Sequence, residues 1–302
     1  MSETKIRYIC ALEPEFPEKL RNIPNAPDGI YVRGCLPDPG KKTVSIIGSR
    51  NNSEYGRGAA EYFAKELAKH GVQIVSGMAR GIDGISQSTA LKSGGSSFGI
   101  LGCGIDVVYP SENRHLYERI LEKGGLISEY PPGTPPRAAL FPQRNRIISA
   151  LSDVLLVVEA RQRSGTSITV RFALEQGRDI FAVPGRITDP LSHGCNTLIA
   201  DGAGIATCPE DILEVLGLIK SGRNKHRKLN LNKFSGLSEM QLKIIRCLDY
   251  NPVSINEIAS KTGCDLSDLM LELLRLQLLG CIENAGQGFY LLKMEVNGDG
   301  SN

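Results

Sequence analysis

From residue 43 onward, short unbroken apolar runs alternate with longer segments in which apolar residues recur every three or four positions. The runs "TVSII" (43–47), "VQIVSG" (72–77), "SFGILG" (97–102), "LISEY" (126–130), "VLLVVEA" (154–160) and "DIFAVPG" (179–185) predict strands. The periodic segments predict helices over 55–71, around Ile85–Leu91, and over 114–125, 146–153 and 166–177, with Gly71 as a C-terminal cap. "GIATCPEDILEVLG" (204–217) adds a short strand and a last helix. Strands with no in-and-out alternation are buried on both faces, as in a parallel sheet with helical crossovers. The pattern therefore predicts an α/β domain over 41–218, a doubly wound, Rossmann-like parallel sheet. The pattern does not carry the strand order.

The flanking segments differ. Residues 1–40 are rich in Pro and Gly and predict a short helix and loops, an extension packed on the α/β core. Residues 237–295 hold three helical segments, 238–250, 254–263 and 265–280, and then a hairpin turning at Gly286–Gly288. Three short helices and a hairpin predict a small winged-helix domain. Residues 296–302 read as a disordered tail, and 219–236 as a linker.

Composition narrows the class. The chain has 302 residues, 41% hydrophobic and 23% charged, long enough for one large and one small domain. It contains no run of about 18 apolar residues, so no membrane span is expected. Its start, "MSETKIRYICALEPEF", lacks the basic and apolar regions of a signal peptide, which predicts a cytoplasmic protein. The eight cysteines form no CxxC pair and there are four histidines, which argues against a zinc site and for reduced thiols. The net charge of +2 is uninformative, but its distribution is not. Residues 220–233 carry six Lys/Arg and no acid, whereas 237–295 carry five Lys/Arg against eight Asp/Glu. The basic tract reads either as a solvated linker or as a contact to a phosphate backbone.

Ligands of open α/β sheets sit at the carboxyl ends of the strands. Four segments should meet there. "GSRNNSEYGRG" (48–58) follows the first strand without a full dinucleotide or P-loop glycine spacing, and Arg50 replaces backbone amides by a side-chain phosphate grip. "SGMARGIDGISQ" (76–87) brings Arg80 and tight turns, with Asp83 as a helix cap or as a scaffold for an arginine. "FPQRNR" (141–146) puts Arg144, Asn145 and Arg146 at the mouth of a crossover helix, with Phe141 able to pack or to stack on a base. Arg144 and Arg146, two positions apart, point in different directions, so one can face a ligand while the other ties down a loop. "EARQRSGTSIT" (159–169) places Arg161, Arg163 and Ser164 before Gly165 and Thr166 at a helix start, where free amides favour an anion. Up to six arginines on one rim exceed what a mononucleotide needs and point to a polyanion. A nucleophile–base–acid set is missing; His193 near Cys195 is the nearest thing to one, and no acidic cluster suits two metals. An enzyme acting on nucleotides in this pocket remains the alternative, with Asp83, Asp106 or Glu159 as its acid.

"VSIIGSR", "IVSGMARGIDG", "FPQRNRIISALSD", "EARQRSGTSITVRFALEQGRDIFAVPG" and "GCNTLIADGA", in this order, resemble the DNA-processing protein A (Smf) family. The resemblance covers about residues 10–215 and continues loosely over 237–292. It implies a non-enzymatic single-stranded-DNA-binding protein of natural transformation that protects incoming strands and loads RecA recombinase. It further implies an extended Rossmann core without a cofactor and a homodimer. On the matched motifs, Gly48, Ser49 and above all Arg50 would contact DNA. Phe141, Gln143, Arg144, Asn145 and Arg146 would form the pocket, flanked by Arg80, Arg163, Ser164, Gly165 and Thr166. Many relatives have a basic residue in place of Gln143. Many also carry an N-terminal helical, sterile-alpha-motif-like domain, which this sequence reads as starting too late to contain. The third C-terminal helix, with Asp265, Asp268 and Glu272 against Arg275, is poorly suited to reading duplex DNA.

Overall fold

The computed structural model describes residues 5–162, 164–219, 237–248 and 252–292. The chain divides into two units, Met1–Lys220 and Ser221–Asn302. Apart from Ile219, the basic linker expected over 219–236 lies outside the described residues, as does the tail 296–302.

The first unit is built on one mixed sheet, which has nine strands among the described residues, in the order β1-β2-β6-β5-β4-β3-β7-β8-β9. These are β1 (Ile6–Cys10), β2 (Gly29–Gly34), β3 (Thr43–Ile47), β4 (Gln73–Ser76), β5 (Ser97–Leu101), β6 (Gly125–Ser128), β7 (Val154–Val157), β8 (Asp179–Ala182) and β9 (Gly204–Ile205). From β6 to β9 all neighbours are parallel, while β1–β2 and β2–β6 are antiparallel. Every residue of β3, β4, β5, β6 and β7 is buried, which is why these strands read as unbroken apolar runs.

The helices of this unit are α1 (Glu18–Arg21), α2 (Glu54–Lys69), α3 (Ile82–Lys92), α4 (Arg114–Lys123), α5 (Leu140–Ala150), α6 (Gly165–Glu175), α7 (His193–Ala200) and α8 (Pro209–Val215). They pack in two groups: α3 between α2 and α4 with α8 on α2, and α5 against α1 and α6. Ile46, Leu67, Ile74, Phe98 and Ile100 are almost fully enclosed at the centre of the unit.

Two expectations need correction. Residues 1–40 are not only a short helix and loops, because β1 and β2 extend the sheet beyond β6. Their burial is patchy, with Tyr8 52% exposed, so no apolar run marks β1. The segment is held further by Lys19, whose ammonium sits 2.8 Å from Asp153 Oδ1 and 2.9 Å from Thr43 Oγ1. The second correction is the start of α5, which lies at Leu140 rather than at Arg146. Pro142 falls in its first turn, where a missing N–H costs nothing, so "FPQRNR" is helix and not a polar mouth before one.

In the second unit, α9 (Glu239–Cys247), α10 (Ile255–Thr262) and α11 (Leu266–Leu278) accompany a sheet ordered β10-β12-β11, formed by β10 (Val253–Ser254), β11 (Ile282–Gly286) and β12 (Phe289–Leu292). Ile244, Ile258, Leu269, Leu273 and Leu276 form its own core. The outer side of α11 exposes Met270, Leu271, Leu274 and Leu278. This is a winged-helix-like unit whose third helix offers phosphates little.

Candidate nucleic-acid interface

The chain runs outward from β3 through β4 and β5 to β6, then returns to β7 on the other side of β3. Loops at the carboxyl ends of β3 and β7 therefore lead away in opposite senses, and the rim between them is where sheets of this kind bind ligands.

Arg50 sits on this rim, three residues past β3, in the loop that leads to α2. It is exposed, and its guanidinium has no hydrogen-bond or ion-pair partner among the described residues. Ser49 and Gly48 before it are half-buried, and Ser49 Oγ accepts from the Asn51 N–H at 3.2 Å. The next strand brings Arg80, also exposed but paired with Glu112 at 3.4 Å. Gly81 joins the two loops. It has φ +73°, and a Cβ there would lie 2.3 Å from Ser49 O and 2.7 Å from Arg50 O. Ile82 N–H donates to Ser49 O at 3.2 Å across the same contact. Asn113 Nδ2 donates to Met78 O and Ala79 O, fixing the Arg80 loop from the other side.

Beyond these, the first turn of α5 carries Phe141 half-buried and Gln143 exposed. The Phe141 ring lies 5.5 Å from the ring of Tyr109, itself 46% exposed. Tyr117 holds Tyr109 at its backbone: its hydroxyl accepts from Tyr109 N–H and donates to Tyr109 O. Tyr109 belongs to none of the four segments expected at the rim; its signal in the sequence is an aromatic before proline in "VVYPSEN".

The two arginines that drew attention to α5 are not on the surface. Arg144 is 4% exposed and Arg146 is 8% exposed. Two positions apart on a helix, they diverge as expected. Arg144 Nη1 donates to Gly77 O at 2.7 Å and to Ile100 O, clamping the ends of β4 and β5, and it faces the buried Asp83. Burial pushes the Asp83 carboxyl up and the Arg144 guanidinium down, and the facing charges oppose both shifts. Arg146 Nη2 pairs with Glu129 Oε1 at 2.6 Å, and its Nε donates to Asn25 O at 2.9 Å, tying the N-terminal segment down. Both therefore build the rim instead of lining it. Asn145 is half-buried.

The α6 start completes the rim. Gly165 is exposed, and a Cβ on it would meet nothing within 4 Å among the described residues, so no contact with them demands glycine there. Ser164 Oγ is buried without a hydrogen-bond partner among the described residues. Thr166 is buried and lies behind Gly165, not on the surface. Arg161 is exposed, and Arg163 lies outside the described residues. Of the six rim arginines expected, Arg50, Arg80 and Arg161 are exposed. From Phe141 beside β5 to Gly165 beyond β7 the rim crosses four strands, about 15–20 Å at the usual strand spacing.

The acids that an enzyme would need are committed elsewhere. Asp83 Oδ2 accepts from Gly77 N–H at 3.0 Å, and Asp106 Oδ1 from Gly133 N–H at 2.7 Å. Glu159 is fully buried against the start of α2. Cys195 is buried too, and burial pushes its thiol up to about 12, which favours the protonated thiol, while His193 is exposed. Among the described residues no His, Cys, Asp and Glu cluster could hold a metal, and no helix is long and apolar enough to cross a membrane.

Residues 7–217 match the family described as DNA recombination-mediator protein A, and residues 235–288 match the DprA winged helix domain. Protein Smf of Escherichia coli is 37% identical over 293 residues, 95% of this chain and 78% of its own. The DNA processing protein DprA of Bacillus subtilis is 39% identical over 216 residues, 71% and 72% of the two chains. The crystal structure of DprA from Streptococcus pneumoniae superposes with a TM-score of 0.66 at 39% identity, covering 70% of this chain and 74% of that one. DNA processing protein A of Helicobacter pylori, whose structure is described for its single-stranded DNA binding mode, gives 0.62 at 29% identity, covering 71% and 97%. With both of its units matched in order, this chain belongs to the DNA recombination-mediator protein A (DprA/Smf) family, a group of DNA-binding proteins and not of enzymes.

Proposed function

We propose that the protein binds single-stranded DNA along this rim, largely without regard to sequence, on a Rossmann-like doubly wound core. In this reading it protects incoming strands in the cytoplasm during natural transformation and delivers them to RecA recombinase. The free, exposed Arg50 carries the binding half. It shares the rim with the exposed Arg80 and Arg161 and with a Tyr109–Phe141 aromatic pair on which a base can stack. The RecA half rests on the family alone.

Phosphate contacts should make affinity fall steeply with salt. Anisotropy titrations of labelled oligo-dT across a salt series measure this, and binding with no salt slope sinks the proposal. Arg50→Ala is expected to weaken binding roughly tenfold or more, the scale of one lost charge-assisted hydrogen bond. Its melting should be unchanged, because the side chain is exposed and has no hydrogen-bond or ion-pair partner among the described residues. An unaltered affinity in a folded Arg50→Ala variant removes Arg50 from the site.

Glu112 acts in the opposite direction. By pairing with Arg80 it takes charge from the rim. Glu112→Gln is expected to tighten oligo-dT binding roughly two- to fivefold at low salt, as for other weak surface pairs. The gain should fade at high salt. An equal or weaker affinity at low salt shows that Arg80 does not meet DNA.

The same reading includes a homodimer. In the apolar stretch over residues 194–217, Ile212 and Leu216 are buried and Leu198 and Ile199 pack on the core, so these four cover the sheet. The exposed apolar residues nearby are Ile205 at 50%, Val215 at 50% and Leu218 at 41%, on and around β9 and α8. Two rims on one strand would raise affinity with oligonucleotide length. Light scattering should give twice the chain mass of 32.7 kDa. A monomer with and without a long oligonucleotide excludes the two-rim mechanism.

A further inference from the structure

Glu159 lies at the place where a nucleotide would be expected. The crevice between the β3 and β7 loops receives the anionic end of a ligand in sheets of this order, with a helix start as its floor. Here that floor is α2, a helix of 16 residues whose free N–H groups and dipole favour negative charge. The Glu159 carboxylate, two residues past β7, fills it. It accepts from the Ser53 N–H at 3.0 Å and from the Ser53 hydroxyl at 2.5 Å. It lies so close to Gly56 that a Cβ there would fall 2.2 Å from Oε2. The side chain is 0% exposed, and no Lys or Arg pairs with it among the described residues. Burial, reinforced by the nearby Asp189 carboxylate, leaves this carboxyl raised, against the Ser53 and Gly56 donors that hold it down. The favourable contacts of the acid therefore come from the helix start, as those of a bound phosphate would.

We propose that Glu159 is a resident anion, which orders the Gly48–Ser53 loop carrying Arg50 and keeps mononucleotide phosphates out of the crevice. The inference rests on reading the rim as the DNA site. Its physical sense is selection of polymer over monomer. A mononucleotide has only a few phosphate oxygens and needs deep backbone donors to bind well. A strand gathers many shallow side-chain contacts and does without them. Closing the deep site costs the strand nothing and removes the monomer as a competitor. Glu159 is thus a positioning and selectivity residue, without contact to DNA itself.

The test uses the full chain with Glu159→Ala and Glu159→Gln. Three measurements are made: oligo-dT affinity, melting temperature against inorganic phosphate concentration, and AMP binding by calorimetry. Glu159→Ala is expected to lose roughly five- to tenfold in oligo-dT affinity, the scale of a charged hydrogen bond. Its melting temperature should rise with phosphate, AMP should bind, and moderate phosphate should recover part of the lost oligo-dT affinity. The native chain should show none of these responses. Recovery by phosphate is something a merely structural residue would not give. Glu159→Gln keeps the shape and loses the charge. It should lose roughly threefold in oligo-dT affinity and leave AMP unbound. A folded Glu159→Ala chain with native affinity, or with melting indifferent to phosphate, overturns the proposal. If Glu159→Ala does not fold, native affinity in Glu159→Gln overturns it instead. If the native chain itself ignores oligo-dT, the rim reading fails, and phosphate-dependent melting still decides whether Glu159 is a resident anion.

Discussion

Arg144→Ala should lower stability by about 3–5 kcal/mol, the usual cost of removing one member of a buried charge pair. The guanidinium bonds Gly77 O and Ile100 O, the backbone at the ends of two neighbouring central strands. Alanine leaves both carbonyls without this donor, leaves the Asp83 carboxyl without its facing charge, and opens a cavity in a dry region. For a unit of this size the loss corresponds to a fall of roughly 6–20 °C in melting temperature. Urea unfolding of the variant, followed by circular dichroism, measures it directly. DNA affinity, taken at a temperature where the variant is still folded, should fall by less than in Arg50→Ala. A melting temperature within about 2 °C of the native chain would show that Arg144 is not the clamp described here.

Gly81→Ala is the second substitution expected to have a large effect. The residue has φ +73° and ψ −134°, a conformation that side-chain-bearing residues adopt at a cost of order 1–3 kcal/mol. A methyl group would also press on two backbone carbonyls, Ser49 O at 2.3 Å and Arg50 O at 2.7 Å. Neither can swing aside as a side chain would, so the two arginine loops must separate. Loss of stability and loss of oligo-dT affinity are therefore expected together. This joint loss distinguishes Gly81 from Arg50, which should affect affinity only, and from Arg144, which should affect mainly stability. Native affinity in a folded Gly81→Ala variant would show that the crossing of the two loops is not needed for binding.

The central strands were legible because burial on both faces writes itself as an unbroken apolar run, as in "TVSII" and "VLLVV". β1 was not, since an edge strand with exposed Arg7 and Tyr8 has no such signature, and in β2 the half-buried Tyr31 and Arg33 interrupt the apolar run. The start of α5 was hidden by Pro142, which reads as a helix breaker until its place in the first turn is known. At the site, Arg50 stood out as an arginine in a position where glycine is usual. The depth of Arg144 and Arg146 could not be read, because an arginine that grips phosphate and one that grips carbonyls are the same letter. Only the identity of their partners, Gly77, Ile100, Asn25 and Glu129, separates the two uses, and those partners lie on other elements. The spacing of the two arginines did carry their divergence correctly. Tyr109 and Glu112 escaped notice for a simpler reason: they belong to a loop whose path past the β4 and β5 ends is a tertiary property.

The way the first forty residues are held has a consequence for the newly made chain. Lys19 meets Asp153, a residue 134 positions later. β2 finds its neighbour β6 only once residues 125–128 exist, and the Asn25 carbonyl waits for Arg146. At a synthesis rate of about 5–20 residues per second, roughly 7–27 s pass between the appearance of Lys19 and that of its partner. For that interval residues 6–34 lack the neighbours that hold them on the sheet, while β3, β4 and β5 behind them already can pair. The many prolines and charged residues of this stretch suit a segment that must wait in water for later-made partners without sticking to its neighbours.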